Sequence, residues 1–97
     1  EIVKYKNDLI AIINKHLPNA KIYLFGSRAR GTHNPGSDID IAVDIGVPIN
    51  WSILGAVKED IVESNIPLFV DIVDINNVSE DMKQKIKKDG VLWDNNN

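Results

Sequence analysis

The sequence predicts an α+β fold in which a small mixed β-sheet packs against helices. Two stretches with apolar residues at helical spacing, 2–17 and 51–64, alternate with two short apolar runs of strand length, 21–25 and 68–73. A further strand is indicated at 38–43, where acidic and apolar residues alternate. This alternation of helical and extended segments favours one small domain over 1–97.

The first half of the chain is predicted to run from a helix into two strands. The helix over 2–17 has its apolar residues on one side and ends at Pro18. A strand over 21–25 stops at Gly26, where a turn and a short helix should begin. The stretch 31–37 has the composition of a loop and leads into the strand at 38–43.

The middle of the chain is predicted to form a helix and then a buried strand. Asn50 is a suitable N-cap for the helix over 51–64, because its side chain can accept from the first helical amides. In 68–73 apolar residues occupy both alternating sets of positions, which is typical of a strand covered on both faces.

The last part of the chain is predicted to be a helix followed by a short edge strand. Ser79 is the expected cap of a helix over 79–88, and Gly90 its stop. Residues 91–93 should form the strand, and 94–97 should fray. The helix carries a run of lysines that predicts a solvated face, namely Lys83, Lys85, Lys87 and Lys88.

Composition limits the classes of function. The chain has 97 residues, no cysteine and a formal net charge of −3. The lack of cysteine excludes disulfides, thiolate zinc sites and cysteine nucleophiles, and it agrees with a reducing compartment. The negative charge argues against binding to extended nucleic acid. No apolar run approaches the ~18 residues needed to span a bilayer, and no cleavable leader pattern is visible. We therefore expect a cytoplasmic protein with no membrane contact.

The junction at Gly26 and Ser27 predicts an anion site. Backbone amides at the start of a helix have no partner inside the helix, and the peptide dipoles add positive charge there. Gly26 allows a ligand to approach the backbone, and Ser27 adds a hydroxyl donor. Arg28 and Arg30 supply positive charge nearby, so phosphate oxygens fit this turn.

Two aspartates predict a divalent metal site close to that turn. Asp38 and Asp40 share one strand face, roughly 6.6 Å apart along the strand at about 3.3 Å per residue. Like charges held together favour a bound cation between them. Asp71 is the best candidate for a third ligand, because a carboxylate within an apolar strand needs a partner.

These motifs resemble the signature of the DNA polymerase β-like nucleotidyltransferase superfamily, which is Gly-Ser, about ten residues, and then Asp-x-Asp. Here Gly26 and Ser27 precede Asp38 and Asp40, with ten residues between Ser27 and Asp38. The sequence 26–31, Gly-Ser-Arg-Ala-Arg-Gly, most resembles the minimal nucleotidyltransferases, which often pair with helical HEPN-domain proteins.

The resemblance implies the fold of that superfamily and the transfer of AMP from ATP. It implies two Mg²⁺ ions bound by Asp38, Asp40 and Asp71, with Asp71 on the catalytic ion and assisting removal of the acceptor proton. Gly26 and Ser27 would bind the nucleotide phosphates. The implied acceptor is a HEPN toxin, whose ribonuclease activity the modification would silence, so that this chain would be an antitoxin.

Two other functions remain open at this point. The chain would be a binding module if it silenced a helical partner by occlusion alone, and a small-molecule enzyme if it modified an aminoglycoside-like acceptor. A chain of this length leaves little room for an acceptor pocket, so we expect a partner protein or a second copy in a homo-oligomer to complete the site. Trp51 and Trp93 fit either the core or a partner surface.

Overall fold

The computed structural model describes residues 2–94, with side chains from Lys4 onward. Its elements, in chain order, are α1 (Ile2–His16), β1 (Lys21–Phe25), α2 (Ser27–Arg30), β2 (Ile39–Asp44), α3 (Trp51–Val62), β3 (Val70–Asp74), a 3₁₀ turn (Ile75–Asn77), α4 (Glu80–Asp89) and β4 (Val91–Asp94). Within residues 2–94, no helix is both long enough and apolar enough to cross a bilayer.

The four strands form one mixed sheet in the order β3-β2-β1-β4. β1 pairs antiparallel with both β2 and β4, whereas β2 and β3 are parallel. A parallel pair needs a long crossover, and α3 supplies it between β2 and β3. The predicted α+β fold with a small mixed sheet is therefore confirmed.

The main core lies between one face of the sheet and the helices α1 and α3. Alternate residues of each strand point to this face, so the polar alternation in β2 places its apolar side chains here. The residues of this core with no exposed surface include Leu9, Ile13, Ala20, Ile22, Ile39, Ile41, Val43 and Val57.

A smaller apolar cluster lies on the other face of the sheet, under α4 and the 3₁₀ turn. Phe25 and Ala42 come from the sheet, and Ile75 and Ile86 cover them. Because Asp40 is two residues before Ala42 in β2, it points to this same face. This second face carries the candidate site.

Both predicted helix caps are confirmed. The Asn50 side chain accepts from the Ser52 amide at 2.9 Å, and the Ser79 hydroxyl accepts from the Met82 amide at 3.2 Å. These bonds satisfy amides that have no partner within their own helix. The helix α3 ends at Val62, two residues before the predicted end.

The prediction that the strand at 68–73 is buried on both faces is wrong. Phe69 is 65% exposed and Asp71 is exposed, while Ile72 and Asp74 are the buried members of β3. β3 lies at one end of the four-stranded order, so only one of its edges is paired with another strand. The apolar run therefore predicted the strand correctly but not how much of it is exposed to solvent.

The two tryptophans have different surroundings. Trp51 is 83% exposed at the start of α3, whereas Trp93 in β4 is half-buried and packs against the main core. The predicted fraying is wrong for Asp94, which belongs to β4 and accepts from the Asn14 side chain at 3.1 Å. The rest of that prediction, 95–97, lies outside the described residues.

Candidate active site

The turn at Gly26 brings the end of β1 against Asp40. Gly26 is buried, with φ of 77° and ψ of −158°, a conformation that is essentially restricted to glycine. A Cβ atom at this position would overlap Oδ2 of Asp40 and lie 3.0 Å from its Cγ, so the carboxylate would have to move. The missing side chain therefore lets the backbone of the turn approach the carboxylate.

The turn leads directly into α2, the four-residue helix Ser27–Arg30. The amides of Ala29 and Arg30 donate to the Gly26 carbonyl, both at 3.1 Å. Ser27 and Arg28 are the first two helical residues, whose amides lack a partner in the helix. The Ser27 side chain is half-buried beside them. The predicted turn and short helix thus form as one unit next to Asp40.

Three carboxylates lie near this turn. Asp40 in β2 is the register partner of Asp71 in β3, and directly paired residues of neighbouring strands share a face. Asp38 immediately precedes β2 and is exposed. The sheet register therefore brings Asp71, from a distant part of the chain, beside Asp40.

The pKa of Asp40 is shifted by burial and by four charged neighbours. Burial raises the pKa of the Asp40 carboxyl, and the negative charges of Asp71 and Asp38 raise it further. Arg30 and Lys85 oppose the increase. The three acids are thus close enough to repel one another, and a bound cation would relieve that repulsion.

The residues fit Mg²⁺ as a partial ligand set. Mg²⁺ takes oxygen ligands and is usually held by one or two carboxylates together with substrate phosphates. Within residues 2–94, no group of three or more His, Cys, Asp or Glu side chains could by itself hold a metal ion. A site of this kind therefore suits a metal that arrives with a nucleotide.

The two arginines after Gly26 point in different directions. Arg30 is exposed, and its Nη1 pairs with the Asp89 carboxylate at 3.3 Å while its charge acts on Asp40. Arg28 is only 6% exposed and donates to the carbonyls of Pro35 and Ser37. Both were predicted to contact phosphate, but only Arg30 lies on the carboxylate side.

Lys85 was missed as a site residue. The lysine run of α4 was interpreted as a solvated face, yet Lys85 lowers the pKa of Asp40. It lies one helical turn before Asp89, which pairs with Arg30, and residues four apart lie on the same helix face. That spacing is a sequence signal, but the sequence does not show which face α4 turns toward the site.

Comparisons with known proteins find relatives in sequence and in fold. A family model described as Polymerase beta, Nucleotidyltransferase matches residues 7–97. A Haemophilus influenzae protein named "Probable protein adenylyltransferase MntA" is 32% identical over 77 residues, which cover 79% of this chain and 68% of that protein.

Two solved structures share the fold. One, described as a toxin-antitoxin with AMP-PNP, has a TM-score of 0.78 and 28% identity, covering 91% of this chain and 71% of its own. Another, described as a tri-AMPylated Shewanella oneidensis HEPN toxin in complex with MNT antitoxin, has a TM-score of 0.67 and covers 96% and 71%. Its 23% identity shows the fold alone. From the match over 7–97 and the relative in Haemophilus influenzae, the chain belongs to the polymerase β nucleotidyltransferase family.

Proposed function

We propose that this protein is a Mg²⁺-dependent protein adenylyltransferase that transfers AMP from ATP to a hydroxyl group of a HEPN-domain toxin, for which it is the antitoxin. The observation that carries the proposal is the pairing of Asp40 with Asp71 in register, directly beside the Gly26 turn. A carboxylate cluster next to an anion turn suits a metal-bound triphosphate.

Each acid has a role in this proposal. Asp38, Asp40 and Asp71 would hold two Mg²⁺ ions together with oxygens of the bound triphosphate, and these ions would supply Lewis-acid activation and neutralise the triphosphate charge. The acceptor oxygen forms a bond to the α-phosphorus as the bond to pyrophosphate breaks. Asp71 is exposed on the end strand β3, next to Asp40, so a partner's hydroxyl can reach it. Asp71 would take the proton of that hydroxyl, the role that the family resemblance implies.

The turn binds the leaving phosphates. The first amides of α2 and the Ser27 hydroxyl donate to phosphate oxygens, and the absent side chain of Gly26 lets this turn lie directly against Asp40. Arg30 adds a guanidinium on the same side, held by Asp89. Lys85 contributes a second positive charge from α4. These donors stabilise the negative charge that accumulates on pyrophosphate as it leaves.

The descriptions of the relatives support the choice of partner. One is named a probable protein adenylyltransferase, and a structure with 28% identity to this chain is described as a toxin-antitoxin with AMP-PNP. A catalytic face open at β3 also suits an acceptor that comes from another protein. We also propose a cytoplasmic location for this chain, whose lack of cysteine agrees with a reducing compartment.

The test is the intact mass of a candidate HEPN-domain partner, after incubation with this protein, ATP and Mg²⁺. We expect the partner to gain AMP units. The double variant Asp38→Asn with Asp40→Asn should abolish the gain, whereas Asp8→Asn, which neutralises an exposed acid on α1, should preserve it.

Two results would reject the proposal. Transfer that survives in the double variant would remove Asp38 and Asp40 from catalysis. A partner silenced by wild-type protein with its mass unchanged would instead support neutralisation by occlusion.

A further inference from the structure

Arg28 holds the loop that leads into the catalytic strand. Its Nε and Nη2 both donate to the Ser37 carbonyl, at 3.2 and 3.0 Å, and its Nη2 also donates to the Pro35 carbonyl at 3.0 Å. Ser37 directly precedes Asp38. The guanidinium therefore bonds to the peptide group that joins Ser37 to the first metal-ligand candidate.

Hydrogen bonds within the loop connect Asn34 to Ser37, and a further bond connects the residue after Asp38 to the neighbouring chain segment at Phe69. The Asn34 amide donates to the Ser37 hydroxyl at 2.9 Å, and the Ser37 amide donates to the Asn34 carbonyl at 3.0 Å. Just beyond Asp38, the Ile39 amide donates to the Phe69 carbonyl at 2.9 Å. The backbone is thus hydrogen-bonded on both sides of Asp38, at the Ser37 carbonyl and at the Ile39 amide. Arg28 is the donor to the Ser37 carbonyl.

Arg28 approaches the loop from the side away from the carboxylates. It lines a cavity of about 270 Å³ together with Tyr5 and Leu68, both of which pack against the main core. Asp40 and Asp71 point to the opposite face of the sheet. Arg28 is therefore placed to act on the loop rather than on a phosphate at the Gly26 turn.

The bonding of Arg28 depends on the shape of its side chain. Within residues 2–94 it makes no ion pair with a carboxylate, and its buried Nη1 has no hydrogen-bond partner. What it provides is a rigid fork of donors that spans two carbonyls, and a lysine ammonium, a point charge on a flexible stem, cannot reproduce this fork. Its contribution is geometric.

We propose that Arg28 is a positioning residue for adenylyl transfer, which fixes Asp38 beside Asp40 by holding the carbonyls of Pro35 and Ser37. The expected loss of transfer rate rests on the proposed function, whereas the expected loosening of the loop does not. A displacement of about 1 Å at a reacting site can cost about 10²-fold in rate, so a loosened loop should slow transfer strongly.

The experiment compares Arg28→Lys, which keeps the charge, with Arg28→Met, which removes it, and uses Lys58→Met as a control for loss of an exposed cation on α3. Three quantities are measured: kcat for AMP transfer, the Kd for a non-hydrolysable ATP analogue, and hydrogen–deuterium exchange of peptides covering 31–38. We expect both Arg28 variants to lose about 10²-fold in kcat. Exchange in the loop should rise, and Kd should stay within about threefold of wild type because the turn at Gly26 is unchanged.

Several outcomes would overturn the proposal. A rise in Kd with loop exchange unchanged would make Arg28 a phosphate contact. Full activity in Arg28→Lys would show that charge alone suffices. If wild-type protein transfers no AMP, the proposed function fails, but loop exchange still decides the structural claim, and unchanged exchange in both Arg28 variants rejects it.

A second variant keeps the test valid if the Arg28 variants do not fold, as judged by circular dichroism. Ser37→Ala removes the hydroxyl that accepts from Asn34 and so loosens the same loop from its exposed side. It should raise exchange at 31–38 and lower kcat with Kd retained. Unchanged exchange and unchanged kcat in this variant would reject the claim that the loop's bonds position Asp38.

Discussion

Gly26→Ala should both destabilise the fold and slow AMP transfer, because the added methyl group conflicts with the backbone conformation at Gly26 and with the Asp40 carboxylate. The backbone of Gly26 has φ of 77° and ψ of −158°, and a residue with a side chain held there costs ~1–3 kcal/mol. The new Cβ would also lie 3.0 Å from Cγ of Asp40, which forces that carboxylate to move.

The expected effect is a loss of about 2 kcal/mol in the free energy of unfolding, the middle of the range for this kind of strain. For a domain of this size, each 1 kcal/mol shifts Tm by roughly 4–8 °C, so Tm should fall by roughly 8–16 °C. Because Asp40 is displaced, AMP transfer should fall by about 10²-fold even at temperatures where the variant is folded.

The assay is thermal unfolding followed by circular dichroism, with transfer rates measured well below Tm. Gly55→Ala is the matched control, since Gly55 lies in α3 with no atom within 4 Å of its added Cβ. That control should be stabilised by about 0.4–1 kcal/mol, because alanine favours helix. If Gly26→Ala melted within about 3 °C of wild type and kept its transfer rate, the argument from close approach would be wrong.

Three further predictions concern single polar side chains. In metal-free protein, Asp40→Asn should raise Tm at pH 7, because burial and the charges of Asp71 and Asp38 raise the pKa of Asp40 and its ionisation destabilises the fold. Wild-type stability should therefore fall as pH rises through that pKa, and the variant should lack this fall in urea unfolding. The hydrogen bond from His16, at 2.6 Å, lowers the pKa of Asp60, so its stabilisation is present above about pH 4 and lost as pH falls through the lowered pKa. Asp60→Asn should reduce stability at pH 6 and flatten that acid loss, and an unchanged pH profile would contradict the assignment. Ser79→Ala should cost about 1 kcal/mol in urea unfolding through loss of the α4 cap, and no change would mean that the bond to the Met82 amide contributes nothing.

The features predicted correctly from sequence depend on neighbours in the chain. The caps at Asn50 and Ser79 formed as expected because each side chain reaches an amide two or three residues away. The turn at Gly26 and the strand beginning at Ile39 follow from glycine chemistry and from alternating polarity. Local stereochemistry leaves few choices at such positions.

The features that sequence could not give depend on distant parts of the chain. The exposure of Asp71 reflects the place of β3 at the end of the strand order, which no local pattern reports. The direction of Arg28 depends on where the loop at 35–37 folds relative to α2. The effect of Lys85 on Asp40 depends on how α4 lies on the sheet.

The sequence by itself determined which residues are candidates for the chemistry, because the spacing of Gly26, Ser27, Asp38 and Asp40 is a property of the chain. The tertiary structure alone decided how they meet. Asp40 faces Asp71 because parallel pairing of β2 with β3 sets their register across the α3 crossover. Such pairing depends on packing between segments far apart in sequence. Asp71 therefore lies beside Asp40 only once β2 and β3 have paired.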